Sequence, residues 1–224
     1  MILPYARMIN FDILMDELSK EIMSYGHLPL MNKMNRGDEY AFRILIGTVL
    51  SSRTKDEVTA IASERLFTQA PNPAKLSQLS ETEIANLIYP VGFYRVKSKN
   101  IKKIAKLIIE KYGGKVPDTL DELIQLPGVG RKTANLVLGI AYNIESITVD
   151  THVHRISNRI GIVKTKIPQE TEQDLQKILP KKYWISYNTL LVAYGQIICR
   201  PISPICSKCK ISNSCKRIGV KKSR

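Results

Sequence analysis

Four cysteines lie close together near the end of the 224-residue chain, and they are the only cysteines in the sequence. They are Cys199, Cys206, Cys209 and Cys215, in the spacing Cys-x6-Cys-x2-Cys-x5-Cys. Disulfides within such a short run would not staple a chain of this length. Four thiolates from one short loop are instead typical of a metal site, either an iron–sulfur cluster or a structural zinc. The spacing alone leaves both metals open.

A glycine turn in the middle of the chain is a second candidate site. The sequence Leu126-Pro-Gly128-Val129-Gly130-Arg131-Lys132 separates two segments with helical periodicity. The glycines leave backbone amides unobstructed, and the following helix presents its free N–H groups and the positive end of its dipole. We expect Val129 to point inward and fix the turn. The pattern favours a phosphate-binding turn, with a plain helix–helix connection as the alternative.

The charge of the chain indicates a polyanionic partner. The net charge is +14 and the isoelectric point is near 9.6. A basic face gains free energy from counterion release on nucleic acid. Charge alone does not choose between DNA, RNA and an acidic membrane, but the longest apolar run, residues 44–50, is too short to span a bilayer. The charged N-terminal segment is no secretory signal, and clustered free thiols favour a reducing compartment.

Apolar periodicity predicts an all-α protein. We expect a first helix from Phe11 that ends near Gly26. Ser80 and Glu83 form a predicted capping box, Asp118 is a predicted cap for a helix through Leu126, and residues 216–224 are expected to fray. Further helices are expected over 40–50, 55–67, 98–112, 151–160, 168–179 and 183–198.

Together, the motifs LPGVGRKTAN, VDTH and Cys-x6-Cys-x2-Cys-x5-Cys resemble the endonuclease III family of DNA glycosylases, in the helix-hairpin-helix superfamily. The resemblance spans roughly residues 38 to 215. It implies a two-lobed fold, with a central helical domain at 33–148 and a cluster-containing domain formed by 1–32 and 149–224. It also implies a [4Fe-4S] cluster rather than zinc at the four cysteines. We expect double-stranded DNA with a damaged base or abasic site as partner, no membrane contact, a monomer, and a cytoplasmic, nucleoid-associated location.

The resemblance assigns catalysis to Lys132 and Asp150. A neutral lysine amine can attack the C1′ carbon of a damaged nucleotide, expel the base and form a Schiff base, after which β-elimination nicks the strand. A helix start disfavours the ammonium form of Lys132. Asp150, as an ionised carboxylate, can stabilise a cationic sugar or accept the lysine proton. The alternatives are a phosphate-contacting role for Lys132 and a helix-capping role for Asp150, and capping is compatible with catalysis.

Two arginines are further DNA-binding candidates, together with Gly128, Val129, Gly130 and Arg131. Arg53 lies where relatives carry a glutamine wedge, so it either fills the gap left by an extruded base or binds phosphate. Arg200 is the one basic residue between the first two cysteines. His152 and His154 are expected to pack or cap rather than to bind metal.

The function predicted from these features is that of a bifunctional DNA glycosylase and abasic-site lyase. It would excise oxidised pyrimidines from duplex DNA in base excision repair. The alternatives are a mismatch-specific thymine or uracil glycosylase and a non-catalytic DNA-binding module.

Overall fold

The computed structural model describes residues 9–25 and 37–224, and every regular element in these ranges is a helix. The predicted all-α class is confirmed. Gly26 and the predicted division at 32/33 lie outside the described residues. The α-helices are α1 Phe11–Ser24, α2 Asp38–Ser51, α3 Asp56–Gln69, α4 Pro73–Gln78, α5 Glu81–Ile88, α6 Tyr94–Tyr112, α7 Leu120–Leu123, α8 Arg131–Tyr142, α9 Thr151–Ile160, α10 Pro168–Ile178 and α11 Trp184–Ile197. None of these helices is both long and apolar enough to cross a membrane.

The chain divides into two compact units, residues 33–144 and residues 1–32 with 145–224. The second division lies four residues before the predicted one at 148/149, and Ile147 is part of the core that continues through α9. The assignment of functional domains remains a prediction.

The 33–144 unit is built around two helices, α2 and α6. Helix α2 packs against α8 and α3, and α6 packs against α4 and α5. Phe42, Leu45 and Ile46 of α2 are fully buried in this core. The predicted capping box starts α5: Ser80 Oγ accepts from Glu83 N at 3.1 Å, and Ser80 N donates to Glu83 Oε2 at 2.7 Å.

The second unit is built around α11, which packs against α9 and α1. Its core includes Leu18, Ile156, Tyr187 and Tyr194, and three of the cysteines, Cys199, Cys209 and Cys215, pack against this core. The phenol of Tyr187 is fully buried and bonds Ser157 Oγ at 3.0 Å.

Two predictions about local structure are wrong. Helix α7 is capped by Thr119 rather than Asp118, since Thr119 Oγ1 accepts from Glu122 N, and it ends at Leu123 where the chain bends into the glycine turn. Residues 216–224, which we call the basic strap, do not fray. Their backbone is bonded to the end of α9 through Lys216 N to Ile160 O (3.1 Å) and Ile218 N to Arg159 O (3.0 Å).

Candidate functional site

The glycine turn joins α7 to α8 and is anchored by Val129. This side chain is 6% exposed, and its amide donates to Leu126 O at 3.1 Å. Gly128 has a φ of +79°. A Cβ at Gly128 would lie 2.7 Å from Asn100 Nδ2, so both the backbone angle and the close approach of α6 favour glycine.

Gly130 is the N-cap residue of α8 and makes no side-chain capping hydrogen bond. Its own Cβ position is open, with no atom within 4 Å. At the N-cap, therefore, no side chain covers the first backbone amides of α8. An anion would be stabilised there by the helix dipole and the N–H groups together.

Arg131 and Lys132 are exposed in the first turn of α8. The opposite face of the same helix is buried through Ala134, Val137 and Leu138. This buried face fixes α8 against α2, so the amine of Lys132 is carried by a rigid element at the helix end that faces solvent.

Asp150 is held at the start of α9 by its capping role. Its Oδ1 accepts from His152 N and Val153 N, both at 2.9 Å, and the residue is half-buried. The preceding residues 146–149 are buried, and Asn188 Nδ2 donates to Thr148 O at 3.1 Å. Asp150 is thus held by the buried residues that precede it and by the amides of α9 that follow it. Its capping role is confirmed.

The two histidines pack as expected. His154 Nδ1 lies 2.7 Å from Thr171 Oγ1, and His152 Nδ1 lies 3.1 Å from the Arg155 guanidinium. Gly195 of α11 lies against His152 and Arg155. A Cβ at Gly195 would overlap His152 Nδ1 and approach an Arg155 nitrogen to 2.8 Å. The absence of a side chain at Gly195 lets α9 approach α11 closely.

Arg53 follows α2 in a left-handed backbone conformation, with φ of +54°. Its guanidinium lies over the ring of Phe93, 5.7 Å from the centroid, and Phe93 is itself left-handed and 60% exposed. An exposed aromatic ring paired with an arginine can stack on nucleic-acid bases. Sequence reasoning missed Phe93, which lies in a turn before α6 rather than in a periodic segment.

Lys97 was also missed, although it organises this turn. It is 7% exposed, and its Nζ donates to Leu50 O at 2.7 Å, Ser52 O at 2.5 Å and Thr54 Oγ1 at 3.2 Å. Burial lowers the pKa of Lys97 to about 8. Once α6 is extended back to Tyr94, Lys97 falls on the apolar stripe of that helix, which is the signal that would have revealed a buried lysine.

None of the four cysteines forms a disulfide, and all four line one cavity. The remaining walls are largely apolar and include Ile156, Ile160 and Ile198. The structure thus brings together the four residues that the spacing had singled out.

Hydrogen bonds reach three of the sulfurs. An Arg159 guanidinium nitrogen donates to Cys199 Sγ at 3.4 Å, Arg217 N donates to Cys215 Sγ at 3.4 Å, and the Tyr194 hydroxyl lies 3.0 Å from Cys209 Sγ. Burial raises the pKa of Cys209 to about 11, so the apolar pocket disfavours a thiolate that has no cation beside it. An all-sulfur donor set with N–H bonds to sulfur fits an iron–sulfur cluster.

Arg200 is exposed, and its Nε donates to Ile197 O at 3.2 Å, at the end of α11. The arginine therefore contacts the carboxyl end of a helix, where a cation is favourable. Its DNA contact remains a prediction.

Comparison with known proteins identifies the family. The model of the HhH-GPD superfamily of base excision DNA repair proteins matches residues 46–181. Endonuclease III of Thermotoga maritima is 45% identical over 203 residues, covering 91% of this chain and 92% of the relative. The chloroplastic endonuclease III homolog 2 of Arabidopsis thaliana is 48% identical over 186 residues, which cover 79% of this chain but 48% of that longer protein.

A solved structure described as a trapped endonuclease III–DNA covalent intermediate, an estranged-adenine complex, matches with a TM-score of 0.80 and 34% identity. The match covers 92% of this chain and 94% of that one. On the family model and these relatives, the chain belongs to the endonuclease III family of base excision DNA repair enzymes.

Proposed function

We propose that this enzyme is a bifunctional DNA glycosylase and abasic-site lyase that removes oxidised pyrimidines from duplex DNA, with Lys132 as the nucleophile. The observation that carries the proposal is an exposed lysine in the first turn of α8, directly after an uncapped glycine turn. The relative trapped as a covalent intermediate with DNA supports a nucleophilic rather than a purely hydrolytic mechanism.

The glycine turn would hold the strand while the lysine reacts. Gly128 and Gly130 offer backbone amides to a phosphate, Val129 anchors the turn between them through its bond to Leu126 O, and Arg131 adds a positive charge. Phosphate contacts at this turn would set the register of the backbone without reading the bases, as a repair enzyme that meets lesions in any sequence requires.

The chemical step would begin with attack of the Lys132 nitrogen on C1′ of the damaged nucleotide. The C1′–N bond breaks, its electron pair leaves with the base, and the amine loses a proton. The sugar opens to a Schiff base on Nζ, loses a C2′ proton and expels its 3′ phosphate, which nicks the strand. Asp150 would stabilise the cationic sugar or accept the amine proton, and the hydrogen bonds from His152 N and Val153 N hold its carboxylate in place for either role.

Arg53 would act at the site of base extrusion. The contact between its guanidinium and the exposed Phe93 ring supports a role inside the base stack. The left-handed backbone at both residues supports a turn with a defined conformation at this point. The alternative is that Arg53 contacts a phosphate. Substitution of Arg53 would then weaken binding to all duplexes equally.

The four cysteines would hold a [4Fe-4S] cluster with a structural and electrostatic role. The cavity and the hydrogen bonds to sulfur support a metal site, and membership of the endonuclease III family supports the iron–sulfur cluster over zinc. A brown purified protein with visible iron–sulfur absorbance and about four irons per chain would support it, whereas one zinc per chain would contradict it.

The test of the nucleophile is borohydride trapping on duplex DNA containing thymine glycol. The wild-type enzyme should give a covalent protein–DNA product and a nicked strand, and Lys132→Gln should give neither. The matched control is Lys106→Gln, an exposed lysine on α6, which should trap like the wild type. Trapping by Lys132→Gln at the wild-type level would refute the assignment.

A panel of duplexes containing thymine glycol, mismatched thymine or uracil separates the other possible functions. Preferred excision of mismatched thymine or uracil would indicate a mismatch-specific glycosylase. Binding that leaves every lesion-containing strand whole would indicate a DNA-binding module without catalysis.

A further inference from the structure

The basic strap, residues 216–224, is ordered against the second unit by its backbone. Besides the bonds from Lys216 and Ile218 described above, Arg224 N donates to Pro204 O at 2.8 Å, and Ser207 N donates to Arg224 O at 2.9 Å. Val220 lines the cysteine cavity. The strap is thus held by main-chain bonds, by Val220 and by the Arg217 side chain, whose Nη2 donates to Ser212 Oγ at 2.8 Å.

The charge of this region is concentrated and exposed. Residues 200–224 contain eight Lys and Arg residues and no Asp or Glu, so they supply +8 of the net charge of +14. All eight side chains are exposed. The ion pairs among the described residues involve none of Lys208, Lys221 and Lys222.

Such a density of like charge repels itself and disfavours a docked strap. A polyanion removes this cost, because each neutralised phosphate also releases condensed counterions. The charge pattern therefore fits a phosphodiester backbone better than an acidic peptide, whose charges are fewer and carry no condensed ion atmosphere.

The strap also forms one wall of an open groove of about 630 Å³. Lys221 and Lys222 line one side, and Pro201 and Ile202 of the loop between the first two cysteines line the other. Arg159 lies at the base, where its guanidinium donates to the carbonyls of Arg200 and Pro201 at 2.7 Å. The groove has a positive wall and a rigid floor.

We propose that the basic strap binds the phosphate backbone of duplex DNA at this groove, through Lys221 and Lys222. The inference rests on the proposed function, which makes duplex DNA the partner, and extends the DNA contact beyond the glycine turn. It assigns to the strap a sequence-independent contact that raises affinity for any duplex.

The test measures how the affinity for lesion-free duplex DNA depends on KCl. Each neutralised phosphate contributes about 0.9 to the slope of log K against log salt. The double variant Lys221→Gln and Lys222→Gln should therefore lower the slope by about 1.8. At 0.1 M KCl this is roughly a 60-fold weaker complex if the two salt lines meet at 1 M. The variant Lys221→Arg and Lys222→Arg should retain the wild-type slope.

The matched control removes the same two charges from an exposed face of α6, through Lys103→Gln and Lys106→Gln. An unchanged slope in the strap variant would overturn the proposal. An equal loss in the α6 control would also overturn it, since the effect would then follow net charge. Glutamine keeps most of the aliphatic stem, and a urea unfolding midpoint matching wild type shows that the fold is intact.

Lesion-free duplex keeps this result separate from the chemistry. If the wild type failed to cut thymine glycol duplex, the proposed function would fail while the salt slopes still reported on the strap. If the wild type cut normally and the slopes were equal, the strap proposal alone would fail.

Discussion

Substitution of Gly128 by alanine tests whether the glycine turn needs its left-handed backbone. An alanine at a φ of +79° costs about 1–2 kcal/mol relative to glycine. The new Cβ would also lie 2.7 Å from Asn100 Nδ2, which must swing away, at a cost of roughly 0.5–1.5 kcal/mol for an off-rotamer side chain. Gly128→Ala should therefore lower the free energy of unfolding by roughly 1.5–3.5 kcal/mol.

A double-mutant cycle with Asn100→Ala separates the two contributions. The free energy of unfolding is measured by urea denaturation for the wild type, both single variants and the double variant. Removing the Asn100 side chain should recover roughly 0.5–1.5 kcal/mol of the loss and leave about 1–2 kcal/mol that belongs to the backbone angle. Binding to a duplex with an uncleavable abasic analogue should remain weakened in the double variant, because the turn amides have moved.

Gly47→Ala is the matched control, since Gly47 lies inside α2 with no atom within 4 Å of its Cβ position. This variant should gain about 0.5–1 kcal/mol, the opposite sign. If Asn100→Ala restored full stability to Gly128→Ala, the positive φ would not matter and the reasoning would be refuted. A loss below about 0.5 kcal/mol in Gly128→Ala would refute it as well.

Three other expectations follow from the site. Asp150→Asn should keep the urea midpoint, because asparagine caps a helix about as well, and should slow single-turnover excision by about 100-fold or more; an unchanged rate would reduce Asp150 to a cap. Because the pKa of Lys97 falls from 10.5 to about 8, the folded protein binds fewer protons than the unfolded chain between these values. The stability of the wild type relative to Lys97→Met should therefore rise from pH 8 to pH 10.5 in urea titrations, and a falling difference would contradict the shift. Cys199→Ser should lower both the iron content and the melting temperature, while a fully loaded variant would exclude Cys199 as a ligand.

Local signals predicted most of the helices and the pieces of the site. Three helix starts could be predicted because each depends on neighbours within a few positions. They are the Ser80–Glu83 capping box, Pro168 at the start of α10 and the cap at Asp150. The inward position of Val129 was also predictable from two flanking glycines.

Features that depend on contacts distant in sequence were not predictable. The start of α6 was placed at Ser98 rather than Tyr94, because Phe93 adopts a left-handed conformation that no composition rule expects of a bulky residue. The docking of the basic strap depends on the carbonyls of Ile160 and Arg159, which no charge pattern reveals. The lesion preference has no sequence signal for the same reason, since it depends on a pocket shape.

Gly195 has a consequence for anyone who would stabilise this enzyme by design. Replacing a mid-helix glycine with alanine is usually a safe route to higher stability. Here the added methyl group would overlap the His152 ring and an Arg155 nitrogen, so both side chains would have to shift in the helix that Asp150 begins. A substitution of Gly195 that is meant to raise stability would thus slow the repair reaction, although Gly195 itself contacts no nucleotide.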